Sequence, residues 1–238
     1  MKYNPLIVAL DVDTFDKAQT LIDALSDSVD IFKIGSQLFT AYGPFITRYV
    51  QSKGKKVFLD LKFHDIPNTV ASAVKSAVGL SVAPNGDKDF APLFMMTVHT
   101  QGGAEMLQAA AQTVMEQAAL LKVTRPLVVG VTVLTSTVRT TDTDRIVLER
   151  ATLAKACGLD GIVASVEEAA MVRKALGKDF VIVTPGIRPA GAEVGDQKRV
   201  ATPKLALASG SDYLVVGRPI VADKDPKSAA LRIIEEIV

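Results

Sequence analysis

Residues 58–67 read FLDLKFHDIP. The stretch opens as an alternating apolar run, the pattern of a strand whose two faces meet different surroundings. It then delivers Asp60, Lys62, His64 and Asp65 within six positions, where a strand leaving a core ordinarily carries neutral turn residues. Alternation puts Phe58, Asp60 and Lys62 on one face and Leu59 and Leu61 on the other. If the leucines face helices, the charges face whatever the strand encloses.

Similar short runs recur along the chain: LIVAL (6–10), DIFKI (30–34), KVFLDL (56–61), FMMTV (94–98), LVVGVT (127–132), GIVAS (161–165), FVIVT (180–184) and YLVVG (213–217). Segments with helical spacing of apolar residues lie between them, among them 15–25, 66–78, 105–121 and 143–157. Eight strand-plus-helix units in 238 residues predict an α/β fold, a single (β/α)8 TIM barrel over residues 1–238. A doubly wound open sheet is the alternative. It usually has a glycine-rich turn after its first strand, and the turn here, DVDTFD, has no glycine. The irregular stretch 79–93, rich in Gly, Pro, Asn and Asp, falls before the fourth strand and reads as a surface insertion at the N-terminal face.

Whole-chain properties narrow the function. Hydrophobic residues make up 48% and charged residues 22%, enough for a large core and against disorder. A net charge of +1 without basic or acidic blocks removes the footprint of nucleic-acid or membrane-surface binding. Cys157 is the single cysteine, so neither a disulfide nor a zinc cluster is available. The N-terminus lacks a signal-like segment, and no apolar run is long enough to span a bilayer; the expectation is a soluble, cytoplasmic protein.

In a (β/α)8 barrel the chemistry sits where strands end. The strand ends here offer Asp11, Lys33, Asp60 with Lys62, His99, Thr135, Ser165, Pro185–Gly186 and Gly217–Arg218. Each charge alone reads as a solvated strand end or a salt bridge, and Asp65, followed by Ile66–Pro67, reads as a helix N-cap. Four charges on one rim are harder to dismiss, because burying them requires compensation, which alternating Lys and Asp supply. Carboxylates on both sides keep Lys62 as an ammonium ion. That disfavours Schiff-base chemistry and suits stabilising, then protonating, a carbanion. His64 and His99 fit supporting positions. The long loop VTPGIRPAGAEVGDQKR and the turn VVGRPI follow the seventh and eighth strands, the recurrent phosphate site of this fold. There Gly186, Gly217, Arg218 and Gln197 can supply donors; the plain alternative is a flexible loop with an ordinary surface arginine.

DLKFHDIPNT resembles the signature Asp-x-Lys-x-x-Asp-Ile-Pro-x-Thr of the orotidine 5'-phosphate decarboxylase family. The likeness continues through VALDV, FKIG, VHTQGG, VTVLTS, VTPGIRP, GDQKR and VVGRPI, in order along nearly the whole chain. The departure is 81–92, longer than usual for the family. The resemblance implies a homodimer with shared active sites that decarboxylates orotidine 5'-monophosphate to uridine 5'-monophosphate without cofactor or metal. It implies that Lys33, Asp60 and Lys62 come from one subunit and Asp65 from the other. Asp11 and Lys33 would hold ribose hydroxyls, with Asp65 and Thr69 of the partner subunit on the other side of the sugar. Thr135 would meet the pyrimidine, Pro185 would lie against the base, and Arg188, Gln197, Gly217 and Arg218 would bind phosphate. Two other readings stand beside it. Metal-dependent sugar-phosphate decarboxylases of the same superfamily carry a glutamate ligand where Lys33 stands, and a charged lysine cannot ligate magnesium. A non-catalytic nucleotide-binding barrel would not need the complete array.

Overall fold

The structure is a computed structural model that describes residues 4–189 and 201–237. Eight parallel strands close on themselves in chain order: β1 (Leu6–Ala9), β2 (Ile31–Gly35), β3 (Lys56–Phe63), β4 (Leu93–His99), β5 (Leu127–Val131), β6 (Gly161–Val163), β7 (Val181–Thr184) and β8 (Tyr213–Val216). Closure is by β8 on β1, with Ile7 opposite Val215 and Val8 opposite Val216. The expected (β/α)8 barrel is the observed fold, and each of the eight predicted runs overlaps one of its strands.

Strand alternation generates two apolar layers. Ile7, Ala9, Ile31, Phe58, Met95, Val129, Val183 and Val215 face inward and fill the barrel. Their neighbours, such as Val8, Phe32, Leu59, Met96, Val128 and Leu214, face outward into the larger core beneath the helices. Fully burying a Val, Leu, Ile, Phe or Met side chain of these layers stabilises the fold by about 1.5–3 kcal/mol. Space inside is limited: a Cβ on Gly161 would lie 2.2 Å from the Val181 carbonyl oxygen, so only glycine fits where β6 meets β7.

The first helix, α1 (Phe15–Leu25), starts where Thr14 accepts a hydrogen bond from Lys17 N, and it buries Ala18, Leu21, Ile22 and Leu25 at helical spacing. After β2 the chain forms two short helices, α2 (Ser36–Tyr42) and α3 (Pro44–Ser52), separated by Gly43 at φ 54°. The remaining helices are α4 (Pro67–Gly79), α5 (Gly103–Leu121), α6 (Thr143–Ala156), α7 (Val166–Leu176), α8 (Pro203–Ala208), α9 (Arg218–Val221) and α10 (Pro226–Ile237). No helix among the described residues is long and apolar enough to cross a membrane.

The irregular stretch before β4 lies at the N-terminal end of the barrel, as expected. It is anchored at its base: buried Gln51 donates through Nε2 to the carbonyls of Leu80 (2.9 Å) and Ala91 (3.0 Å). Its exposed turn, Pro84–Gly86, lies between those anchors.

Candidate active site

The C-terminal mouth of the barrel holds a cavity of about 410 Å³. Its floor is apolar, from inward-facing Ala9, Phe58, Val131, Val163, Val183 and Val215. Its walls carry Asp11, Lys33, Asp60, Lys62, Thr135, Pro185, Arg188, Gly217 and Arg218. With Gly186, which also lines it, ten of the residues singled out from the sequence therefore converge on one space. Because β8 adjoins β1, the order around one side of the rim is Arg218, Asp11, Lys33, then Asp60 with Lys62.

The charges form a chain. Lys33 Nζ lies 3.0 Å from Asp11 Oδ1 and 3.6 Å from Asp60 Oδ2, and Lys62 Nζ lies 2.9 Å from the same Asp60 oxygen. The Lys33 and Asp60 side chains are only 11% and 13% exposed, so solvent screens this part of the chain poorly and each charge depends on its neighbours. Lys33 also occupies the space between two carboxylates that would otherwise attract a cation. Among the described residues no three His, Cys, Asp or Glu side chains are grouped to hold a metal ion.

Strict alternation is not how Lys62 reaches the site. Pairing between β3 and β4 runs Leu59 to Met96, then jumps to Phe63 opposite Val98: four steps along β3 match two along β4. Within this bulge Lys62 adopts φ 52°, a left-handed conformation that costs a non-glycine residue about 1–2 kcal/mol. The bulge exposes a residue the sequence reading missed. Thr97 on β4 donates to Asp60 Oδ1 (3.0 Å) and accepts from Lys62 N (2.8 Å). The available signal was a hydroxyl on the inward side of FMMTV, two positions after the core residue Met95.

Other expected positions divide. Asp65 and Thr69 do not line the cavity; both are exposed at the start of α4, beside Ile66, which is 66% exposed. The helix-cap reading of Asp65 does not hold, because Ile66 is the cap residue and Asp65 Oδ1 accepts from Ile66 N (2.7 Å) rather than from the first helical turn. Ser165 is a structural strand end: it caps α7 in a reciprocal box with Glu168. Its fixed partner explains why it stays out of the cavity.

Arg188 is buried at the base of the segment after β7, where its N–H donates to Ala201 O (2.9 Å) across the Ile187–Ala201 bridge. Gly186 precedes it at φ 78°, a turn that a side chain would strain. Gln197 lies outside the described residues.

His64 and His99 stack with ring centroids 5.3 Å apart. Burial, followed by the nearby charges of His64, Arg150 and Lys62, holds His99 below the usual imidazole range. A neutral ring agrees with its hydrogen bonding, since His99 Nδ1 accepts from Gln101 N (3.3 Å).

The "Orotidine 5'-phosphate decarboxylase / HUMPS family" model matches residues 4–233. The orotidine 5'-phosphate decarboxylase of Syntrophotalea carbinolica is 48% identical over 240 residues, covering 98% of this chain and 94% of the relative. The enzyme of the same name from Vibrio cholerae is 46% identical, covering 93% of each chain. Among solved structures, orotidine 5'-phosphate decarboxylase from Lactobacillus acidophilus superposes with a TM-score of 0.81 at 34% identity, covering 99% of both chains. With eight strands closed around a Lys/Asp chain and this likeness over nearly its whole length, the protein belongs to the orotidine 5'-phosphate decarboxylase / HUMPS family.

Proposed function

We propose that the protein decarboxylates orotidine 5'-monophosphate to uridine 5'-monophosphate, the last step of de novo pyrimidine nucleotide synthesis, in the cytoplasm and without a cofactor or metal. The observation that carries this reading is the order of chemistry around the rim. Arginine from the β8 end is followed by the Asp11–Lys33 pair and then by Lys62 against Asp60, which matches phosphate, sugar and reacting base in sequence.

In this reading the substrate phosphate binds Arg188, Arg218, Gln197 and the backbone at Gly217. Asp11 and Lys33 take ribose hydroxyls. Thr135 meets the pyrimidine, and Pro185 lies against the base. The base carboxylate then lies beside Asp60, and the repulsion between the two falls as carbon dioxide leaves. The bond from C6 to the carboxylate carbon breaks with its electron pair left on C6. The Lys62 ammonium stabilises that charge and donates its proton to C6, then recovers a proton from water. Phosphate contacts remote from the reacting carbon supply binding energy for assembling this state.

The site is completed by a second copy of the chain. Asp65, Ile66 and Thr69 give the start of α4 an exposed charged and apolar surface beside the array, which supports a homodimer whose sites each take Asp65 and Thr69 from the partner subunit. The lysine already seated between Asp11 and Asp60 favours this reading over a metal-dependent sugar-phosphate decarboxylase. The test is the ultraviolet absorbance change on adding orotidine 5'-monophosphate in excess chelator. Turnover unaffected by the chelator is expected. No turnover, or turnover restored only by a divalent cation, overturns the proposal.

A further inference from the structure

Lys33, Asp60 and Lys62 have roles in the reading above, but two of them sit where β3 has lost its regular pairing with β4. A left-handed backbone at a non-glycine residue persists only where the surroundings over-determine it. The ladder that would hold Lys62 is interrupted between Leu59 and Phe63. One side chain spans the interruption. Thr97 is fully buried on the adjacent strand, does not line the cavity, and touches both residues through a single oxygen.

The direction of these bonds is fixed by chemistry. A backbone N–H only donates, so the hydroxyl lone pair accepts from Lys62 N. The one hydroxyl proton is left for Asp60 Oδ1. With Oδ1 held, Asp60 presents Oδ2 to Lys62 Nζ (2.9 Å) and Lys33 Nζ (3.6 Å). A valine would fill the same volume on an inward strand position, and burying a hydroxyl among apolar neighbours is unfavourable without partners. The hydroxyl has its place here through what it holds.

We propose that Thr97 is a positioning residue for the reaction: its hydroxyl fixes the Asp60 carboxylate and the Lys62 backbone together, and so sets the order Lys33–Asp60–Lys62. The inference rests on the decarboxylase reading for its kinetic consequences and adds to it a residue that contacts no substrate. Thr97→Val removes the hydroxyl at nearly constant shape, and Thr97→Ser keeps it. Misplacing reacting groups by about 1 Å costs on the order of 10²-fold in rate. The expected result is a loss of about that size in kcat for Thr97→Val, an unchanged KM and uridine 5'-monophosphate affinity, and a rate for Thr97→Ser within a few-fold of the parent. A merely structural role would lower rate and product affinity together, or leave serine as impaired as valine; either outcome overturns the proposal, as does a valine variant with parental kcat. Crystal structures of the two variants separate this inference from the functional reading. Lys62 should leave its left-handed conformation in Thr97→Val and keep it in Thr97→Ser, whatever substrate the parent turns over. Unmoved Lys62 and Asp60 in the valine variant would sink the idea. Should Thr97→Val not fold, Thr97→Ala gives the same comparison against serine.

Discussion

The two ends of the barrel both carry carboxylates beside cations, yet they use them differently. At the N-terminal end, Asp160 precedes β6 and accepts from Arg125 Nη1 (2.9 Å) and Val128 N (2.8 Å). Asp212 precedes β8 and accepts from Arg173 Nη2 and from Ile182 N (2.7 Å). Each carboxylate joins an arginine to the start of the neighbouring strand, so its bonds end inside the fold. The bond to Asp160 holds the Arg125 guanidinium above its usual range. At the C-terminal end, Asp11, Lys33, Asp60 and Lys62 bond mainly to one another, and all four line a cavity. A charge at a strand end is therefore not functional in itself. What distinguishes the C-terminal rim is that its charges share partners and border a common space.

Mixing two damaged chains gives the largest expected effect. If the site is completed across a two-fold interface, a hybrid of Lys62→Ala and Asp65→Asn chains has one doubly damaged site and one intact site. Two nearly inactive variants, unfolded together and refolded, should recover activity in about a quarter of all sites. If Asp65 serves its own chain, mixing recovers nothing, and the C-terminal rim then belongs to a single chain.

Arg218→Ala sharpens the comparison within the mouth. Losing a charge-assisted contact of roughly 1.5–3 kcal/mol predicts a fall of about 10- to 150-fold in kcat/KM for the nucleotide. The phosphate-free nucleoside should be almost unaffected, because the lost contact is to phosphate. Equal losses for both substrates would place Arg218 with the structural charges of the opposite rim.

The smallest effect is expected at the other end. Asp212→Ala removes a hydrogen-bonded pair with Arg173 and should cost about 1.5–3 kcal/mol, or roughly 3–12 °C in Tm for a chain of this size. At a temperature where the variant is folded, kcat should stay within twofold of the parent. A variant with parental Tm and lost turnover would break the division between the two rims.

Much of this was legible in the sequence because the decisive signals are periodic. Short apolar runs separated by helical segments marked the eight strands, and Asp11 just after β1, Lys33 in β2 and Asp60 in β3 fell on the rim by position. What stayed hidden depends on contacts between distant strands. Thr97 acquires its meaning only through a bulge in β3, and nothing in LDLKF announces that Lys62 leaves the regular strand conformation. Ser165 and Thr135 look equivalent as polar strand ends. Only Ser165 has an acidic residue three positions later that draws it into a helix cap. Asp65 misleads in the opposite direction: an acidic residue just before Ile-Pro has the composition of a cap, but its carboxylate bonds to Ile66 N and leaves the helix donors alone.

In the proposed reaction Lys62, held against Asp60 at the mouth of the barrel, is the group that carries the decarboxylation. Its most direct test is turnover of orotidine 5'-monophosphate by Lys62→Ala, measured with the affinity of the same protein for uridine 5'-monophosphate. Removing the proton donor alone costs ~10²–10⁴-fold, and here charge stabilisation goes with it, so the loss in kcat should exceed that range. Product affinity should be retained, because phosphate and ribose contacts lie on other strands. Activity within tenfold of the parent would mean that Lys62 does not carry the reaction.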